Sequence, residues 1–125
     1  MCPSRSLALL AGLLAAAQAQ AEYPLYTGER LTLGRKVWIE NCETCHAYGV
    51  AGAPVATRPE LWTERIAKGK QVLYEHALNG FYGPMGTMMP ARGGNDALDD
   101  EEVTAAVDYM MRLAAPTSTE AIPTQ

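Results

Sequence analysis

The sequence predicts an all-α domain of four or so short helices joined by long loops. Three observations carry that expectation. A stretch near the C-terminus repeats apolar residues at three-four spacing behind a helix-start signature. Glycine and proline cut the rest of the chain into short helical pieces. No run alternates apolar and polar residues convincingly, as a half-buried strand does.

The elements follow in chain order. Residues 22–27 read as an irregular lead-in, with Pro24 blocking an early helix. A helix is expected over residues 31–41. Leu33, Val37 and Trp38 with Ile39 form its apolar face, and Gly34 lies one turn before Trp38. Residues 49–59 hold two Gly and two Pro and read as loop. Residues 60–68 read as a short helix stopped by Gly69, and residues 70–78 as another stopped by Gly80. Residues 81–95 read as a long loop with no regular element. The last helix starts at Asp99, with Glu102 three residues on as a capping box. Leu98 and Val103 staple its entry, and Asp100, Glu101 and Glu102 lie at the positive end of its dipole. Val103, Ala106, Val107 and Met110 share its buried face, and Pro116 ends it.

The first 21 residues do not belong to this domain. Arg5 precedes an almost pure Leu/Ala run over residues 7–17, and Ala19-Gln20-Ala21 fits a cleavage site. That is the shape of a secretory signal peptide. The run is short for a membrane span, which needs roughly 20 residues. The expected organisation is a signal peptide at 1–21, a domain at 22–115 and a flexible polar tail at 116–125. Export places the domain in the periplasm, with no membrane span after cleavage. The chain carries a net charge of −4, and loss of Arg5 makes the remainder more acidic. An acidic surface argues against nucleic acid, whose phosphates need a basic face.

Short helices around a long loop make a poor bare core. A large apolar cofactor at the centre would resolve this. Of the three cysteines, Cys2 leaves with the signal. Cys42-Glu43-Thr44-Cys45-His46 is the attachment signature for c-type haem. Two thiols three residues apart reach both vinyl groups of one porphyrin, and the adjacent imidazole serves as proximal iron ligand. A dithiol redox motif usually opens a helix that follows a strand, whereas here a helix precedes. A zinc site needs a second cysteine pair, which is absent from the sequence.

The loop Met85-Gly86-Thr87-Met88-Met89-Pro90 supplies three candidate distal ligands. A thioether favours ferrous iron and closes the metal to substrates. Pro90 would stiffen the backbone at Met89, which favours Met89 among the three. Met110 and Met111 lie on the last helix and read as core. His76 lies mid-helix and reads as exposed or satisfied rather than as a ligand.

The chain resembles the class I cytochromes c, and the cytochrome c5 group in particular, from about Leu33 to Leu113. The resemblance rests on Cys42 to His46, on Gly49-Val-Ala-Gly-Ala-Pro54, and on His76-Ala-Leu-Asn-Gly80. It continues through Met89-Pro-Ala-Arg-Gly-Gly94 and Ala105-Ala-Val-Asp-Tyr-Met110. It implies the class I fold, with short helices packed around one covalently bound haem c. It also implies Met89 as distal ligand and a hydrogen bond from the His46 ring to the Pro54 carbonyl. Gly34 and Trp38 would cross the last helix near Tyr109. Extra methionines at 85 and 88 depart from the family pattern, as does the absence of cysteines for the added disulfide found in some members.

The function expected is electron carriage by a mono-haem protein that is not an enzyme. Redox proteins such as respiratory complexes or dehydrogenases would be its partners. They would meet an apolar patch near Cys42, Cys45, Val50 and Ala51. Two rivals stand beside it. One is a haem subunit fixed in a larger dehydrogenase or oxidase complex. The other is a haem enzyme with an open iron position, such as a peroxidase or a gas-binding protein.

Overall fold

A computed structural model describes residues 23–115 and the segment 121–122. The expected signal peptide, and the expected tail apart from that segment, lie outside the described residues. The architecture is mostly helical, as expected. Strand β1, Leu25–Tyr26, leads into α1, Glu29–Val37. A wide turn of π-helix, Trp38–Cys42, carries the chain without a break into α2, Glu43–His46. Single 3-10 turns follow at Val50–Gly52 and Pro59–Leu61. Helices α3, Thr63–Ala67, and α4, Lys70–Asn79, come next. Strands β2, Phe81–Tyr82, and β3, Met88–Met89, precede a 3-10 turn at Ala91–Gly94. Helix α5, Asp100–Ala114, is the longest, and β4, Ala121–Ile122, pairs antiparallel with β1.

The first helical stretch is longer than the expected 31–41. No Gly or Pro stands between Gly34 and Gly49, so nothing in the sequence stops the helix before His46. Its partner is α5. Gly34 and Trp38 face α5 as expected, and the reason is steric. A Cβ at Gly34 would fall well inside contact distance of the Ala105 carbonyl oxygen and 3.0 Å from Tyr109 Cβ. Only glycine lets the two backbones cross this closely. Trp38 and Tyr109 are both 0% exposed, with ring centroids 5.9 Å apart.

The lead-in is tied down by polar contacts. The Tyr109 hydroxyl donates to the Pro24 carbonyl at 2.7 Å, and Arg35 Nε donates to the Tyr23 carbonyl at 3.1 Å. Tyr23 in turn stands edge-on to Trp38, with centroids 4.3 Å apart.

Helix α5 starts as the sequence indicates. Glu102 N–H donates to Asp99 at 2.8 Å, and Asp99 N–H donates to the Glu102 carboxylate at 3.0 Å. Leu98 packs on the cluster that holds Val103, which is the hydrophobic staple. Val103, Ala106, Val107 and Met110 are all buried. Full burial of a Val or Met side chain contributes about 1.5–3 kcal/mol.

Residues 81–95 correct the expectation of an irregular loop. Phe81 pairs with Met89 and Tyr82 with Met88, so the segment forms a small hairpin. Gly83 and Pro84 begin its turn, and Gly83 N–H donates to the Thr87 carbonyl at 2.7 Å. Strands of two residues have no period to read, so the pattern was invisible.

Candidate haem site

The elements enclose a cavity of about 530 Å³. That lies within the ~300–1,000 Å³ usual for cofactor sites. The α1-to-α2 stretch brings Cys42, Cys45 and His46 to its lining. Helix α4 contributes Leu73 and Ala77, α5 contributes Val107 and Met110, and the hairpin contributes Met88 and Met89. Of the five expected site residues, all five line the same cavity: Cys42, Cys45, His46, Pro54 and Met89.

His46 is 7% exposed. Its Nδ1–H donates to the Pro54 carbonyl at 2.9 Å, as the family resemblance implied. A carbonyl can only accept, so the proton belongs on Nδ1 and the lone pair on Nε2. Burial pushes the His46 pKa below the ordinary imidazole value, against an opposing effect of the Pro54 bond, and nearby Arg65 lowers it further. The ring is therefore held neutral and ready to donate a nitrogen lone pair. Around it, the His46 carbonyl accepts from Ala56 N–H at 2.7 Å. Trp62 Nε1 donates to the Val55 carbonyl at 2.8 Å, and its ring lies 6.2 Å from the imidazole. These bonds fold the 49–59 loop onto His46 and fix where Pro54 stands.

Cys42 and Cys45 are both free. Burial raises the Cys42 thiol to about 11, with Cys45 adding to the effect. A thiol that high is not the activated nucleophile of a dithiol oxidoreductase, whose attacking cysteine is shifted down. No group of three or more His, Cys, Asp or Glu among the described residues could hold a bare metal ion. Two thiols and a neutral imidazole beside a largely apolar cavity do fit a porphyrin that the thiols would attach and the imidazole would ligate.

The three loop methionines differ in placement. Met85 is 87% exposed and Met88 53% exposed. Met89 is half-buried and packs on the cluster of Ala77, Val103 and Val107. Gly80 makes room for it. With φ of 85°, Gly80 ends α4, and a Cβ there would sit 3.0 Å from the Met89 carbonyl oxygen. His76 also lines the cavity, with its ring stacked on Phe81 at 4.1 Å. Met110 and Met111 take part in the core clusters, as expected.

Trp62 and Asn41 also line this cavity, and no motif in the sequence marks them. Trp62 could be found only as an apolar helix residue, since its bond to Val55 depends on how the loop folds back. Asn41 carried no signal beyond its place next to Cys42.

Comparison with known proteins agrees with this geometry. Residues 29–110 match the family described as cytochrome c oxidase, cbb3-type, subunit III. Cytochrome c-555 of Chlorobaculum tepidum is 41% identical over 78 residues, covering 62% of this chain and 71% of that protein. Cytochrome c-551 of Halorhodospira halophila is 37% identical over 82 residues, covering 62% and 95%. A solved structure, described as the electron transfer complex of nitrite reductase with cytochrome c, contains a similar chain. The match has a TM-score of 0.58 and 39% identity, and covers 66% of this chain and 94% of that one.

Proposed function

Since the chain belongs to the class I cytochrome c family, whose members hold haem c covalently, we propose that it is a mono-haem electron carrier with its iron between His46 and Met89. The observation that carries this reading is the convergence of Cys42, Cys45, His46 and Met89 on one cavity. When bound, the haem supplies a one-electron ferric/ferrous couple. The protein's part is to hold that couple still. Cys42 and Cys45 would hold the porphyrin through thioether bonds. His46 presents Nε2 while the Pro54 carbonyl keeps the ring from turning. Met89 is favoured over Met85 and Met88 because its side chain is half-buried against the core. A thioether held there closes the iron to substrates, which favours electron transfer over an enzyme with an open iron position.

The partners we propose are redox proteins met briefly through the cavity mouth. Val50 and Ala51 are exposed there, as are Phe81, Met85 and Met88 of the hairpin. Interfaces of this kind are small, below about 1,200 Å². The nitrite reductase complex of the similar cytochrome c supports a partner of this class. We further propose that residues 1–21 direct export and that residues 22–115 work as the mature domain in the periplasm.

The description of the matching family favours one second reading, a haem subunit of an oxidase. Among the described residues no helix is long and apolar enough to cross a membrane. A periplasmic extract separates the two by size: a carrier elutes as a small free protein, and a subunit elutes with its complex or stays with the membranes.

Attachment is tested by mass under denaturing conditions. The exported protein should retain one haem after denaturation, and Cys45→Ala should hold it loosely or mature poorly. Unchanged haem retention in Cys45→Ala would sink the thioether assignment.

A further inference from the structure

Two segments distant in sequence would supply the two protein ligands of the proposed iron site. The α1-to-α2 stretch carries Cys42, Cys45 and His46, and the segment from β3 to Asn95 carries Met89. A pair of asparagines joins them. Asn95 Nδ2 donates to Asn41 Oδ1 at 2.8 Å, across 54 positions of sequence.

Each amide is also held at its other end by the backbone. Asn41 Nδ2 donates to the Val37 carbonyl at 3.0 Å, and Asn95 Oδ1 accepts from Ala97 N–H at 3.1 Å. Each side chain therefore presents one defined atom to the other. Both are half-buried, so water competes weakly for the bond. The backbones are close at the same point. A Cβ on Gly93 would sit 3.3 Å from the Asn41 carbonyl oxygen. Asn41 and Gly93 also line the cavity. Asn41 lies in the wide π-turn, a local distortion that often marks functional positions in helices.

The same loop has a second anchor, nearer to Met89 in sequence. Arg92 donates to the Leu98 carbonyl at 2.9 Å and to Asp100 at 2.6 Å, which ties the loop to the start of α5. That anchor does not reach the helix that carries His46. The asparagine pair does.

We propose that Asn41 and Asn95 form a latch that holds the Met89 segment against the Cys42–His46 helix and so keeps the Met89 thioether on the iron. The latch rests on Met89 being the distal ligand. The two asparagines are positioning residues: they touch neither the sulfur nor the metal.

The test uses the ferric holoprotein and added imidazole, which binds iron only when the thioether has left. Its apparent affinity scales with the detached fraction. A single net hydrogen bond is worth a few-fold in such an equilibrium. Asn95→Ala and Asn41→Ala should each strengthen imidazole binding about fivefold. Asn41→Asp keeps an oxygen to accept from Asn95 but gives up the Nδ2 bond to the Val37 carbonyl, so its imidazole affinity should fall between those of the natural protein and Asn41→Ala. The double variant should be no stronger than either single, since both remove the same bond.

Natural imidazole affinity in both alanine variants would overturn the latch. So would Asn41→Asp behaving like Asn41→Ala, or effects that multiply in the double variant. A lower unfolding midpoint with unmoved imidazole affinity would mean the pair is structural only. Should Asn95→Ala fail to mature, the contrast between Asn41→Ala and Asn41→Asp decides alone. Met89→Ala separates the two layers. If Met89→Ala keeps the far-red thioether band, the ligand assignment fails and the latch falls with it. If that band is lost there while the asparagine variants bind imidazole normally, only the latch is wrong.

Discussion

Gly34→Ala is the sharpest perturbation of the frame that carries the haem motif. The added methyl meets the Ala105 carbonyl oxygen and lies 3.0 Å from Tyr109 Cβ. The obstacle is backbone, so no rotamer change relieves it, and α1 and α5 must move apart. Trp38 and Tyr109, both fully buried at the same crossing, would lose contact as they do. Overpacking of this kind costs about 1–3 kcal/mol, and an obstacle that cannot rotate away belongs at the upper end. Alanine inside a helix returns about 1 kcal/mol relative to glycine. The expected net loss is about 2 kcal/mol, or roughly thirtyfold in the folding equilibrium. Denaturant unfolding followed by tryptophan emission reads it, with Lys36→Ala on the exposed face of α1 as a control expected within about 0.5 kcal/mol. Unchanged or increased stability in Gly34→Ala would refute the close crossing and show that helix propensity decides there.

Further outcomes follow from the same geometry. Asp99→Ala removes one half of the capping box and should cost about 1 kcal/mol in thermal or denaturant unfolding, while Thr104→Ala one turn on should cost less. Burial raises the pKa of Tyr23 to about 12, with the Glu43 hydrogen bond adding, and burial also raises Tyr26 and Tyr109 above the ordinary 10.0. The folded state keeps these protons where the unfolded state has released them. Their contribution is therefore present below pH 10 and is lost as pH rises from 10 toward 12. Ultraviolet titration should show these three tyrosines missing from the ordinary ionisation step. Their ionisation near 10 in the folded protein would contradict the burial.

Much of the fold was legible in the sequence because it rests on local rules. The α5 start needs only Asp99 and Glu102 three residues apart, and its buried face needs only the three-four spacing of Val103, Ala106, Val107 and Met110. Helix α4 shows itself through Gly69 and Gly80 at its ends. The part that stayed hidden depends on contacts between distant segments. The hairpin at Phe81–Met89 exists because Gly80 lets β3 lie against the end of α4, and two-residue strands announce nothing. The pairing of β1 with Ala121–Ile122 is of the same kind. The merging of α1 into α2 through a π-turn follows from the absence of any stop before Gly49, a negative signal easily overlooked.

The candidate site divides in the same way. Cys42, Cys45 and His46 lie within one five-residue stretch, so the chemistry is readable from spacing. Among three neighbouring methionines the sequence favours Met89 only through Pro90 beside it and the family resemblance. Burial adds the second distinction: Met85 and Met88 reach solvent, whereas Met89 packs on Ala77, Val103 and Val107. The Asn41–Asn95 bond spans 54 positions and had no local trace at all.

Iron held between His46 and Met89 is tested most directly by one spectrum. The far-red thioether-to-ferric-iron band should be present in the oxidised natural protein, persist in Met85→Ala and Met88→Ala, and vanish in Met89→Ala with a fall in reduction potential. A natural protein without that band, or a band that survives Met89→Ala and disappears in Met85→Ala or Met88→Ala, would contradict it.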